Sequence, residues 1–359
     1  MKNIFSLLFC LLIFGCSLPR PLPEADVKYS LFDNPIEESK YNIAIYNRIS
    51  SKAPNEDFNF LVLSGGGADG AWGVGVLNGW KEKGIPQFDV VIGTSTGALI
   101  APFAFLGRSE DFNSLVKYYS TTKNSDVSRF NLLFIFNDSI SSTRPLQLQL
   151  KNIITNDFID LIAKEANKNR KLFVTSCCLD DGNAEVWDLT EIAASDDVNK
   201  YDRFRNTLLA SAAVPIFFPP VFLDGHMQVD GGVKENVYFD ERLFPQTIYM
   251  QNKNPVKLYV IVNGGFDAND QAVDNSTIGI AARSIQQFML TKRHGELQKI
   301  ESIAKRLCIE FYLCYAPEGT PLSGMEFDPA VMTELIKLGR EWGLKQEWLR
   351  TSPIETLRR

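Results

Sequence analysis

The sequence predicts an α/β chain whose mostly parallel sheet is covered by helices on both faces. Three observations lead there. Short apolar runs alternate with longer helical patterns; several runs are apolar at successive positions rather than every second one; and glycine-rich turns carry the chain from run to helix. A strand packed on both sides has no polar face to show, so unbroken apolar runs belong inside a layered fold.

Taken in order, Leu18 to about Asp57 is polar and proline-punctuated, with Pro19, Pro21 and Pro23 close together. It reads as a tether followed by a helix near Ile36 to Ser50 that packs on the body. Phe60-Leu61-Val62-Leu63 is the first buried-type strand, and a helical pattern follows through Trp72, Val76, Leu77 and Trp80. Asp89 to Ile92 is the second strand, followed by helices through Leu106 and from Glu110 to Tyr119. The aromatic run Phe130 to Phe136 is expected in the core, and one helix is expected from Pro145 to about Lys168. Lys171–Leu179 and Glu185–Leu189 flank the turn chemistry of Asp180-Asp181-Gly182-Asn183 and read as a hairpin. Arg203 to Ala213 is helical up to Val214-Pro215. Asp224-Gly225 then turns Val221–Leu223 back into a strand that ends at Asp230. A strand at Lys257–Val262, a helix from about Ile278 to Ile303, a strand at Arg306–Tyr315 and a helix from Pro329 to about Trp342 complete the body.

The chain is organised around Gly93-Thr94-Ser95-Thr96-Gly97. A β-branched run enters it and an apolar helix leaves it, the context of a G-x-S-x-G nucleophile elbow. The turn is so sharp that side chains at Gly93 and Gly97 would strike its neighbours, and Ser95 is thrust out at a helix N-terminus that favours negative charge. The other glycine-rich turn, Ser64 to Gly70, leaves backbone N–H groups of Gly65, Gly66, Gly67, Ala68 and Gly70 available as an anion nest. A P-loop would need Gly-Lys-Ser/Thr, which Gly70-Ala71-Trp72 lacks. The spacing from Gly65 to Gly70 fits a dinucleotide fingerprint, but the next strand runs into Ser95 where that motif needs an acidic residue. An oxyanion hole uses both turns.

Composition narrows the rest. With 359 residues and a net charge of −6 without a long basic run, nucleic acid is excluded as a partner. The apolar run Ile4 to Phe14 is too short to span a bilayer and ends at Gly15-Cys16-Ser17, so residues 1–15 read as a signal peptide. Leu12-Ile13-Phe14-Gly15-Cys16 resembles a bacterial lipobox, which would acylate Cys16 and tether residues 16–57 to a membrane. The expected location is an exported, membrane-anchored lipoprotein, at the periplasmic or surface side of a bacterial outer membrane. Cys177, Cys178, Cys308 and Cys314 are expected as buried free thiols; no cofactor and no metal site is expected from Cys/His spacing.

What deprotonates Ser95? The chain has two histidines. His226 precedes Asp230 by four strand residues, about 13 Å, so the two cannot touch. His294 sits in Lys292-Arg293-His294-Gly295, a pattern typical of a solvated helix face. That leaves a carboxylate acting on Ser95 directly, which requires a desolvated site. Here the sequence resembles the patatin-like phospholipases. The likeness runs from about Phe60 to Trp342, on the blocks Gly65 to Gly70, Gly93 to Gly97, Ala210-Ser211-Ala212-Ala213-Val214-Pro215 with Pro219-Pro220, and Asp230-Gly231-Gly232. The resemblance implies a three-layer α/β/α sandwich over residues 58–345, with 346–359 as a tail. It implies Ser95 as nucleophile, Asp230 as proton acceptor, N–H groups around Gly66 and Gly67 as oxyanion donors, and no catalytic metal. Asp69 departs from the family's usual Gly-x-Arg-Gly; it is expected to point away from the oxyanion and to cap the helix near Ala71.

The function this implies is a membrane-tethered serine acyl hydrolase of lipid carboxylic esters. A general esterase or thioesterase, or a lipid-binding lipoprotein without turnover, are the alternatives.

Overall fold

In the computed structural model, residues 31–353 are described except 33, 128, 131–140, 143, 245–253, 267–272 and 274. The signal segment, Cys16 and residues 131–136 of the aromatic run lie outside the described residues. In chain order the elements are α1 (Pro35–Ser50), β1 (Phe58–Leu63), α2 (Gly70–Glu82), β2 (Val90–Thr94), α3 (Thr96–Leu106), α4 (Ser109–Thr121), a short α5 (Asn124–Val127) and the two-residue strands β3 (Arg129–Phe130) and β4 (Ser141–Ser142). There follow α6 (Arg144–Ile153), α7 (Asn156–Ala166), β5 (Lys171–Cys178), β6 (Ala184–Asp188), α8 (Leu189–Ala194), α9 (Lys200–Ser211), β7 (Val221–Leu223), β8 (His226–Asp230), β9 (Val256–Ile261), α10 (Thr277–Arg306), β10 (Glu310–Cys314) and α11 (Pro329–Lys345).

The main sheet runs β10-β9-β1-β2-β5-β8-β7, with β6 also on β5. From β10 to β5 every pairing is parallel, and β6, β8 and β7 are added antiparallel. Strict alternation of faces explains the unbroken apolar runs. Leu61 and Leu63 of β1, Val91 of β2 and Leu172 and Val174 of β5 pack into one core with α2, α3 and α4. Phe58, Phe60 and Val62, Val90 and Ile92, and Phe173 pack into a second core on the opposite face. Tyr41, Ile45 and Ile49 of α1 and Leu297, Ile300 and Ala304 of α10 belong to that second core. The result is a three-layer α/β/α sandwich.

Two details position the site. Helices α2 and α11 press together through glycines: a Cβ on Gly75 would meet the Ile336 carbonyl, and one on Gly339 the Trp72 carbonyl. That close packing seats the N-terminus of α2, where the triple-glycine turn ends. Helix α1 is pinned by Arg48, whose Nε donates to the fully buried Asp89 at 2.7 Å, just ahead of β2.

Several expected boundaries differ. The helix expected from Pro145 to Lys168 is two, because the Thr155 hydroxyl accepts the Phe158 N–H (3.2 Å) and starts α7 afresh. The strand expected from Arg306 is shorter, since α10 continues through Arg306. Cys177, Cys178 and Cys314 are buried and free, but Cys308 is exposed. The segment read as a tail from 346 is held at its start, where Leu349 bridges Leu313 and the Trp348 ring packs on Trp80.

Candidate active site

Ser95 stands between β2 and α3 with φ 56 and ψ −124, a left-handed conformation that a non-glycine residue holds only where its surroundings impose it. The surroundings are backbone. A Cβ on Gly93 would collide with Gly97, and one on Gly97 with the Leu63 and Ser64 carbonyls of the neighbouring turn. Gly97→Ala is therefore expected to destabilise the fold by about 3 kcal/mol in urea unfolding, with loss of the elbow's geometry. The Ser95 side chain makes no capping bond to α3, which leaves Oγ for other work. Its N–H is taken by the Ser211 hydroxyl at 3.0 Å.

Asp230 reaches Ser95 through β5. The first half of that strand pairs with β2, Thr94 opposite Thr175, and the second half with β8, Ser176 opposite Asp230. Because β6 lines the other edge of β5 across both stretches, β2 and β8 share one edge and end facing each other. The Asp230 backbone N–H donates to the Ala213 carbonyl (2.9 Å), tying β8 to the end of α9. Asp230 Oδ1 accepts the Gly232 N–H at 2.7 Å, while Oδ2 completes no hydrogen bond among the described residues. Burial pushes this carboxyl from 3.8 up to about 7, against the pull of the Ser95 hydroxyl, the Gly232 N–H and the Lys292 ammonium. The Ser95 hydroxyl is thus close enough to act on the carboxyl, although no hydrogen bond joins the two side chains among the described residues.

A Cβ on Gly65 would lie 3.1 Å from the Ser95 Cβ, so the triple-glycine turn borders the serine. Of the turn's N–H groups, that of Gly65 is engaged by the Asn236 carbonyl (3.1 Å) and that of Ala68 by Gly324 (2.6 Å); that of Gly70 turns back on Gly67 and Ala68. The N–H groups of Gly66 and Gly67 make no hydrogen bond among the described residues. Asp69 occupies the cap position of α2 but makes no capping bond, correcting the sequence expectation. Its buried Oδ1 accepts the Ser323 (2.8 Å) and Gly324 (3.1 Å) N–H groups instead. Burial raises it to about 6.

Beside Ser95 opens a narrow apolar pocket, lined by Leu99, Tyr118, Val214, Phe218 and Met325 among others. Leu99, Tyr118 and Tyr119 also line a second, tighter cavity reaching Leu150 and Ile154. An apolar slot continuing from a nucleophile suits an aliphatic chain.

The sequence model of the patatin-like phospholipase family matches residues 61–243. The chain belongs to that family. Probable lipid hydrolase 463L of Invertebrate iridescent virus 6 is 27% identical over 202 residues, which cover 51% of this chain and 62% of that protein. The crystal structure of VipD from Legionella pneumophila covers 82% of this chain and 67% of its own, at 12% identity and a TM-score of 0.37.

Against this patatin-like frame, each histidine packs on a group other than the serine. His226 lies at the far end of β8, its Nδ1 3.5 Å from Asp180 Oδ2, and the His294 ring, expected in solvent, packs on Phe266 at 4.5 Å. Among the described residues, donor atoms of Cys178, Asp180 and His226 come within 4.8 Å of one another, a grouping that linear spacing did not disclose. Asp180 Oδ2 there already accepts the Met227 N–H (2.9 Å). Sequence reasoning assigned no role to Ser211, although it lies in a quoted block, nor to Asn236, Lys292 and Arg293, which carry no local signature.

Proposed function

We propose that this patatin-like chain is a serine acyl hydrolase that cleaves carboxylic esters of lipids through a Ser95–Asp230 dyad. The observation that carries the reading is the meeting of a strained, uncapped serine with a buried carboxyl whose second oxygen is unoccupied, beside unengaged N–H groups and an apolar slot. In this scheme Asp230 takes the proton of Ser95 as Oγ attacks the ester carbonyl, and the carbonyl oxygen becomes an oxyanion held by Gly66 and Gly67 N–H. Collapse expels the alcohol, which takes the proton from Asp230, and leaves the acyl group on Ser95. Water then enters by the same steps, its proton passing through Asp230 and its hydroxyl releasing the fatty acid. A carboxyl poised near neutrality suits both proton transfers.

The lipid substrate is consistent with the family and with the apolar slot. The export signal, acylation at Cys16 and a membrane tether belong to the proposal too, supported by the pattern from Ile4 to Cys16. Among the described residues no helix is long and apolar enough to cross a membrane.

The test is fatty-acid release from phospholipid vesicles alongside p-nitrophenyl esters of graded chain length. The wild type is expected to hydrolyse both. Leu99→Trp, which fills the junction of the two cavities, is expected to lower kcat/KM on octanoate or longer esters about tenfold and to leave acetate within about twofold. A protein that binds vesicles but releases no product would instead be the lipid-binding lipoprotein.

A further inference from the structure

Helix α10 lies outside the 61–243 family match, yet three of its residues reach the loops around Ser95. Lys292 Nζ donates to the Val233 (2.8 Å) and Lys234 (2.7 Å) carbonyls in the turn after Asp230. Glu296 accepts the N–H groups of Asn236 (3.0 Å) and Val237 (2.9 Å), and the Asn236 carbonyl holds Gly65. Arg293, 2% exposed, reaches furthest: Nη1 donates to the Gly265 carbonyl and Nη2 to the Gly65 carbonyl at 3.4 Å. A buried guanidinium is costly, and evolution of a merely stable core would favour an apolar side chain there.

The Gly65 bond has a directional consequence. All peptide bonds described are trans, and across a trans peptide the C=O and N–H point opposite ways. The Gly65 carbonyl, held by Arg293 and by the Ser64 hydroxyl (2.8 Å), therefore turns the Gly66 N–H the other way, in a turn that borders Ser95. Gly66 cannot drift to relieve a misplaced donor, because its α-carbon is packed against the Asn263 carbonyl. Asp69 and Glu296 supply the opposing charge for Arg293. Asp69 and Arg293 flank Gly264, where a Cβ would lie 3.4 Å from Asp69 Oδ2 and 3.6 Å from Arg293 Nη1. The acidic residue that departs from the family pattern is thus part of the same brace, joining the 323–324 turn to it.

We propose that Arg293 is a positioning residue that locks the Gly65–Gly66 peptide so that the Gly66 N–H stands aimed at the oxyanion, with Asp69 as its buried counter-charge. The inference rests on the hydrolase reading. The Gly65 and Gly265 carbonyls are taken by two different nitrogens of one rigid planar fork, a span that the single nitrogen of an ammonium does not reproduce.

The experiment compares Arg293→Lys and the charge-balanced pair Asp69→Asn/Arg293→Met with wild type and Ser95→Ala on a p-nitrophenyl ester. Arg293→Lys is expected to lose about tenfold in kcat and the double variant about 100-fold, each with KM within about twofold. Affinity for an alkyl trifluoromethyl ketone, whose adduct with Ser95 carries the oxyanion, should fall by the same factor as kcat. A purely structural arginine would move thermal midpoint and KM without that parallel. Folded variants with kcat within about threefold of wild type overturn the inference alone, and Arg293→Lys decides if the double variant does not fold. A wild type no more active than Ser95→Ala overturns the hydrolase reading and this inference with it.

Discussion

Ser95→Ala is expected to lower ester turnover by about 10⁴-fold or more while the protein stays folded. Among the described residues near the cavity, the other hydroxyls are engaged: Thr96 Oγ1 is hydrogen-bonded to the Tyr119 hydroxyl (2.5 Å), and Thr94 to Thr175 (2.7 Å). The fold should tolerate the change because alanine bears the same backbone strain at φ 56 as serine, and the elbow is held by Gly93, Gly97 and the Ser211 bond to the backbone N–H. The checks are initial rates on a chromogenic ester, labelling by a fluorophosphonate, and thermal unfolding. The expected result is loss of rate and label with a midpoint within about 3 °C of wild type. Label that survives in Ser95→Ala would place the nucleophile elsewhere.

Asp230→Asn is expected to lose about 10³-fold in kcat and, at the same time, to stabilise the folded chain at neutral and alkaline pH. The two effects share one cause. Burial raises the folded-state pKa of Asp230 from 3.8 to about 7, so between those values the folded chain holds a proton that the unfolded chain has released. The stability this proton confers is complete below about pH 4 and is lost as pH rises through about 7, above which the native state carries an ionised, desolvated carboxylate. Asparagine retains an acceptor for the Gly232 N–H and carries no charge. The gain of the variant over wild type should therefore be small at pH 4, grow through pH 7, and reach the order of a few kcal/mol at pH 8. Asp69, raised to about 6, tilts both proteins the same way and cancels in the difference. Wild-type kcat/KM should rise with a slope of one on a logarithmic scale and level off above about pH 7, a limb absent from the variant. A wild-type rate flat from pH 5 to 8 would exclude Asp230 as the base.

How much of this was legible before folding depended on how local each feature is. The elbow is one strand, one turn and one helix, and the glycines at 93 and 97 announce the clash they avoid. The same holds for the triple-glycine turn, for the hairpins at 180–183 and 224–225, and for the apolar runs that imply a sheet covered on both faces. The break at Thr155 was readable in principle as a helix-capping threonine, but the apolar periodicity across it concealed the restart. His294, set aside as part of a charged helix face, packs on Phe266. Arg293 and Lys292 misled for the same reason: a basic pair on a long helix has the pattern of a surface whether its tips meet water or backbone carbonyls.

From its residues alone, then, this chain determines a layered α/β fold, a serine forced out at a sharp bend, and a glycine turn rich in N–H groups, because each follows from steric rules acting over a few neighbouring positions. Only the tertiary structure decided that Thr94 and Asp230 would end on consecutive positions of β5, that the N–H groups of Gly66 and Gly67 would be the unengaged ones, and that a helix from the far end of the chain would brace them. Those outcomes depend on which strand pairs with which and on what each backbone group meets once water is excluded, and no spacing along the chain encodes that.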